Sequence, residues 1–274
     1  MTLNCKGRLI DLSTPKVMGI LNLTPDSFFD GGRYNDEAKI LSQVEIMLKD
    51  GATFIDVGGY SSRPGAADVS EDEELKRVVP VIELILKYFP DCLISVDSFR
   101  SEVARLAVES GAAMVNDISA GQLDENMMAA VGQLGVPYIM MHMRGTPQSM
   151  QSETDYENLL EDVIFYFSER LKKAREHKII DAIIDPGFGF SKTLDQNYKL
   201  MAKLELLAEI GRPILVGISR KSMIYKLLNT DAEHALNGST ALHTIALSKG
   251  ANILRAHDVK EAIQTVNIFN KLNE

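Results

Sequence analysis

Short apolar runs recur along the whole chain, at 17–21, 54–57, 93–96, 114–116, 137–141, 182–184, 214–218 and 253–254. Runs of that length, apolar at nearly every position, fit strands buried on both faces. Between them, apolar residues fall at helical spacing over 37–49, 72–87, 102–109, 125–134, 156–175, 197–210, 239–248 and 259–272. Gly51, Gly111, Gly135, Gly211 and Gly250 stand where those helices should stop, and Asp124 stands where one should open. Strands that alternate with helices pair in parallel through helical crossovers. Eight such units in 274 residues have the size of a closed (β/α)8 barrel, with an open doubly wound sheet as the competing arrangement. The reading is therefore α/β: one TIM barrel over 1–274, with long loops after its first and second strands.

Polar residues close most of these strands: Asn22, Asp56, Asp97, Asn116 with Asp117, His142, Asp185, Ser219 with Arg220 and Lys221, and Arg255 with His257. A barrel gathers the carboxyl ends of its strands on one rim, where chemistry sits. One such residue is readily a turn cap. The same feature on strand after strand points to a shared pocket. Composition narrows the classes without naming one. Hydrophobic residues are 45% and charged residues 24%, which excludes a disordered or low-complexity chain. A net charge of −9 argues against nucleic acid or an anionic membrane as partner. Cys5 and Cys92 have no metal or redox spacing, the start lacks a signal-like apolar core, and no stretch is long enough to span a bilayer. A reduced, cytoplasmic location is expected.

Several segments, taken in order, carry a more specific signal. They are Gly19-Ile20-Leu21-Asn22-Leu23-Thr24-Pro25-Asp26-Ser27-Phe28, Asp56-Val57-Gly58-Gly59-Tyr60-Ser61-Ser62-Arg63-Pro64-Gly65, and Ser95-Val96-Asp97-Ser98. Then come Asn116-Asp117-Ile118, Met141-His142-Met143, Asp185-Pro186-Gly187-Phe188-Gly189-Phe190-Ser191-Lys192, Gly217-Ile218-Ser219-Arg220-Lys221-Ser222 and Arg255-Ala256-His257-Asp258. With these the chain resembles the dihydropteroate synthases, a pterin-binding TIM-barrel family, from residue 17 to about 258. The resemblance implies condensation of 6-hydroxymethyl-7,8-dihydropterin diphosphate with p-aminobenzoate to 7,8-dihydropteroate and diphosphate. It also implies Mg2+ and a homodimer, for which the late helices would form the interface.

The implied pterin subsite is Asp97, Asn116, Asp185, Lys221 and Phe190. A carboxylate can accept a forked pair of hydrogen bonds from a pterin's amino group and ring N–H, the role expected of Asp185. Phe190 would stack on the ring, and Ile118 and Met140 would line the walls unless they are ordinary core. The implied diphosphate receptors are Asn22, Ser62, Arg63, Arg255 and His257, since guanidinium groups fork onto phosphate oxygens. Asn22 would also ligate Mg2+, an ion that keeps waters and leans on substrate phosphates. Phe28, Ser62, Pro64 and Ser222 would border p-aminobenzoate. Asn22, Arg63, Lys221, Arg255 and His257 form the expected catalytic set.

The loops 24–34 and 61–69 are long for a barrel and read as lids. Asp30 orients the amine, holds the two loops together, or forms a turn before Gly31 and Gly32. The stretch from Gly187 to Thr193 looks like a phosphate loop but has Ser191 where that motif needs glycine, so nucleotide binding is not expected. His177, His234 and His243 read as surface or packing residues. Tyr60 stands where relatives often have an acid, which puts a loop hydrogen bond in doubt, and Ser62 replaces a common Thr while keeping the hydroxyl. An arylamine is a weak nucleophile, so catalysis is expected to ease departure of diphosphate. A corrinoid-type pterin methyltransferase, a non-catalytic pterin-binding paralogue and a structural barrel remain as alternatives.

Overall fold

A computed structural model describes residues 1–23, 33–60 and 69–274. Among the described residues it shows eight parallel strands, each followed by helix. The barrel strands are β3 (Lys16–Asn22), β4 (Phe54–Gly58), β5 (Leu93–Asp97), β6 (Met114–Asp117), β7 (Tyr138–Met141), β8 (Ala182–Asp185), β9 (Leu215–Val216) and β10 (Ile253–Ala256). They pair in the order β8-β7-β6-β5-β4-β3-β10-β9. A bridge between Ile184 and Ile214 joins the first and last of these and closes the ring. The open doubly wound sheet is thereby excluded.

Strand alternation sorts side chains into two layers. Val17, Ile55, Ile94, Val115, Tyr138, Ala182, Val216 and Leu254 face outward into one large core with the helices. Their neighbours Met18, Phe54, Leu93, Met114, Ile139, Ile183, Leu215 and Ile253 face inward and share a second apolar cluster. The surrounding helices are α1 (Arg33–Lys49), α2 (Glu71–Tyr88), α3 (Ser101–Glu109), α4 (Met127–Leu134), α5 (Leu159–Glu176), α6 (Leu194–Ala202), α7 (Ser222–Leu227), α8 (Leu236–Ser248) and α9 (Val259–Asn273).

The apolar runs indicate no strand before residue 17, yet the chain opens with an antiparallel hairpin, β1 (Thr2–Cys5) and β2 (Arg8–Asp11). Lys6 and Gly7 both take positive φ, 53° and 84°, as a two-residue hairpin turn requires. Leu3, Cys5, Ile10 and Leu12 join the inner cluster, so the hairpin packs against the amino-terminal end of the barrel. Two helix boundaries also differ from expectation. The 197–210 segment is α6 followed by a 3-10 turn (Leu204–Ile210), ended by Gly211 at φ 71°. Asp124 does not simply open its own helix. Its carboxylate accepts from the Asn126 N–H at 2.9 Å and also from the Ser101 N–H at 2.6 Å, which ties α4's entry to the first turn of α3.

Candidate active site

Two residues beyond the inner apolar layer, the same inward alternation brings up Asp56, Ser95, Asn116, Asp185, Gly217 and Arg255. Two further on, it brings up Asn22, Asp97, Ser219 and His257. The barrel's interior therefore changes from apolar to polar toward its carboxyl end. The expected pterin residues Asp97, Asn116, Asp185 and Lys221 all lie there.

Arg255 is central to the cluster. Its Nε donates to Asp56 at 2.6 Å and its Nη2 to Asp97 at 2.7 Å. Asn116 Nδ2 donates to the same Asp56 oxygen at 3.1 Å. The other Asp56 oxygen is buried with no hydrogen-bond partner among the described residues. Burial pushes the Asp97 carboxyl up to about 7 against the pull of Arg255, with Asp56 adding to the rise. Burial also opposes the Arg255 charge, but Asp56 and Asp97 outweigh it and hold the guanidinium firmly protonated. The resemblance gives Asp56 no role, and the strand ends mark it only as one polar residue among many. Its place beside Phe54 in the alternation is the signal that it points inward.

Asp185 Oδ1 accepts from the Gly187 N–H at 2.8 Å, and Oδ2 accepts from no described residue. Burial raises its carboxyl above the usual range, opposed by Lys221, Arg255 and Lys192. A Cβ on Gly217 would stand 3.9 Å from Asp185 Oδ2 and 3.8 Å from Arg255 Cβ, so the carboxylate and the arginine's aliphatic stem flank that bare stretch of backbone. Lys221 Nζ donates to the Phe188 carbonyl at 2.6 Å and lies 4.7 Å from the centre of the Phe190 ring. Burial brings this lysine down to about 8, against the attraction of Asp185.

Phe190 packs in a small cluster with Ile118, Met141 and Met143 at the rim. Met140 does not line the pocket. Strand alternation turns it outward into the helix-packed core, and Met141 takes the inward place. The His257 N–H and ring both meet the Ser219 hydroxyl at 3.2 Å. Asn22, half-buried at the end of β3, makes no side-chain hydrogen bond to another described residue. Ser222 is the first residue of α7, directly after Lys221. Phe28, Asp30, Ser62, Arg63 and Pro64 lie outside the described residues, as does most of the two long loops.

The backbone on either side of 61–68 is held by arginines. Arg77 donates to the Gly59 carbonyl at 3.1 Å, and Arg100 donates to the Val69 carbonyl at 2.6 Å while pairing with buried Glu74. Tyr60 accepts a hydrogen bond from Gln148 at 3.0 Å and meets the Phe99 ring edge-on at 5.1 Å. His243 is buried as a packing residue, and burial lowers it to about 4. The segment that resembles a phosphate loop instead buries its lysine: Lys192 reaches His142 Nδ1 at 2.9 Å. Among the described residues no three His, Cys, Asp or Glu side chains gather as a metal-binding group, and no helix is long and apolar enough to cross a membrane.

Comparison with known proteins agrees with this geometry. The family model described as a pterin binding enzyme matches residues 18–257. The dihydropteroate synthase of Haemophilus influenzae is 46% identical over 271 residues, 98% of each chain. The solved Yersinia pestis dihydropteroate synthase in a sulfonamide drug complex is 43% identical, with a TM-score of 0.93 over 100% of this chain and 99% of the other. The Xanthomonas albilineans dihydropteroate synthase in complex with 7,8-dihydropteroate is 36% identical, with a TM-score of 0.90 over 100% of this chain and 99% of the other.

Proposed function

The chain belongs to the dihydropteroate synthase family of pterin-binding enzymes, and on that premise we propose how its barrel mouth performs the family's reaction. The protein is a transferase that condenses 6-hydroxymethyl-7,8-dihydropterin diphosphate with p-aminobenzoate to give 7,8-dihydropteroate and diphosphate. The methylene C–O bond breaks, the bonding pair leaves with diphosphate, the amine nitrogen bonds to carbon, and the amine loses a proton.

Asp185 carries the pterin reading. It is buried, it is tied to the Gly187 N–H on one oxygen, and its other oxygen is left for the pterin's donors. Asn116 and Asp97 take further ring and amino groups, Lys221 donates to the ring carbonyl, and Phe190 stacks. The carboxylates around the ring favour positive charge on the pterin as diphosphate departs. Arg255 Nη1 makes no hydrogen bond to a described residue and is the donor left for a phosphate oxygen. His257, Asn22, Ser62 and Arg63 complete the diphosphate receptor, and Phe28, Ser62, Pro64 and Ser222 border p-aminobenzoate.

An amide oxygen is a hard, neutral donor, so Asn22, with no side-chain partner among the described residues, suits Mg2+ held mainly by phosphate oxygens and water. Held there, Mg2+ would supply positive charge to offset that of the leaving diphosphate. The working protein is a cytoplasmic homodimer in this reading. The exposed Ile245 on α8 and Ile268 and Leu272 on α9 support the late helices as its interface, which light scattering of the purified chain tests.

The test of function is diphosphate release from the pterin diphosphate, with and without p-aminobenzoate and Mg2+. Amine-dependent release that stops on chelation is expected, and no release from folded protein overturns the reading. In the same system, Asp185→Asn should weaken pterin binding by about tenfold or more in calorimetry, the loss expected for one charged forked contact. Unchanged binding would remove Asp185 from this role.

A further inference from the structure

Lys192 takes no part in the chemistry above, yet it is buried beside the residues that do. Its ammonium meets three acceptors: His142 Nδ1 at 2.9 Å, the Gly187 carbonyl at 3.1 Å and the Phe190 carbonyl at 3.1 Å. An ammonium can only donate. While Lys192 is charged, His142 accepts at Nδ1, which places its own proton on Nε2 and leaves the ring neutral. Burial and the nearby Lys192 and Arg144 charges hold His142 well below the usual histidine range, in keeping with that tautomer.

The two carbonyls are what connect Lys192 to the pterin subsite. Gly187 gives its N–H to Asp185 and its C=O to Lys192, so the carboxylate and the ammonium grip opposite ends of one residue. Gly187 has φ +68°, and a side chain there would overlap the His142 carbonyl, so the turn is tightly confined. Phe190, held through its carbonyl, places its ring beneath the Lys221 ammonium. No carboxylate touches Lys192 among the described residues. A buried ammonium with only neutral partners is costly, and what offsets the cost is the field of Asp185.

We propose that Lys192 is a positioning residue of the pterin subsite, fixing the turn from Gly187 to Phe190 so that Asp185 and Phe190 meet the pterin together. The proposal rests on Asp185 being the pterin acceptor. Lys192 has a second, electrostatic effect. Asp185 is faced by Lys221 and Arg255 as well as Lys192. Lys192 itself is faced by Asp185, Lys221 and Arg144, with neutral His142 in contact. Burial brings Lys192 down to about 7, and in its charged form it opposes proton uptake by Asp185. Removing that charge raises Asp185 further and moves the acid limit of pterin binding to higher pH.

The experiment compares wild type, Lys192→Met and Asp185→Asn. Pterin diphosphate without amine is titrated by calorimetry across pH, and the fold is checked by circular dichroism. Lys192→Met is expected to weaken pterin binding about tenfold, raise the pH of the acid limb, and leave the p-aminobenzoate KM within about twofold. A folded Lys192→Met with wild-type affinity and an unmoved limb overturns the proposal. So does a p-aminobenzoate KM that rises as much as pterin affinity falls, since that marks general damage. If Asp185→Asn binds pterin normally, the underlying reading fails. If Asp185→Asn is weak and Lys192→Met is not, only the positioning role fails. Should Lys192→Met not fold, Lys192→Arg keeps the charge but not the three-acceptor geometry. Weaker binding with an unmoved acid limb is then expected, and unchanged affinity overturns the proposal.

Discussion

Arg255 joins carboxylates from two different strands, and its position in the chain gives no hint of this. The resemblance suggested a phosphate receptor. The structure shows a guanidinium whose Nε and Nη2 already serve Asp56 and Asp97. Removing one member of such a cluster strands the others in a poorly hydrated interior. Arg255→Met should therefore cost about 3 kcal/mol of stability, read from urea denaturation, in addition to any loss of activity. Asp56 is almost completely buried, so the loss should shrink in the double variant Arg255→Met with Asp56→Asn. Lys221 gives a pH prediction. Burial sets its folded value near 8, below the ordinary lysine value, so its positive charge fades as pH rises through 8. Pterin affinity should fall over that interval, and in Lys221→Met calorimetry should find that alkaline limb missing.

At the scale of elements, the barrel strands and most helices are legible because each has a local period. The hairpin is not. β1 alternates Leu3 and Cys5 with exposed neighbours, but four-residue strands leave too short a pattern to separate from a loop. Its reason for existing is tertiary: a ring of eight inward side chains needs an apolar cover at its amino-terminal end. Leu3 is almost fully buried in that cover. Leu3→Ala should destabilise the fold by about 3 kcal/mol, shown by a lower urea midpoint. A loss under about 1 kcal/mol would mean the hairpin is a loose appendage rather than the floor of the barrel. Asp124 shows the converse. Capping chemistry points to Asp124 as a helix opener, but α4 starts at Met127 with Asn126 at its cap position; Asp124 holds the turn before it, and one of its two N–H partners belongs to α3.

For the whole molecule, a net charge of −9 describes the surface and not the site. The described part of the mouth gathers Lys221, Arg255 and His257 among Asp56, Asp97 and Asp185, a mixed and mutually neutralising set. The closed barrel also settles the two thiols. Cys5 faces from the hairpin into the inner apolar cluster, Cys92 lies under the helix layer, and burial pushes both up to about 12. Ellman's reagent at mildly alkaline pH should leave both untouched in the folded protein, and their release should track unfolding. Fast reaction of either thiol in native buffer would contradict that packing. These groups resist ionisation only when folded. Whatever they gain for the fold is present below the unfolded thiol value, and the raised folded value marks its loss as pH climbs toward 12.

Local rules decide much of this protein. The period of apolar runs sets the barrel, the glycines set its helix ends, and polar residues at strand ends mark which rim carries chemistry. Asp97, Asn116, Asp185, Lys221 and Arg255 are all legible from that pattern with the motif resemblance. Only the tertiary structure decides their partners. Arg255 meets Asp56 across 199 residues of chain, and that meeting depends on strand register and on ring closure between β8 and β9. Backbone geometry repeats every few residues and is written locally. Which side chains share a buried charge depends on how the whole sheet closes, and no short segment contains that information.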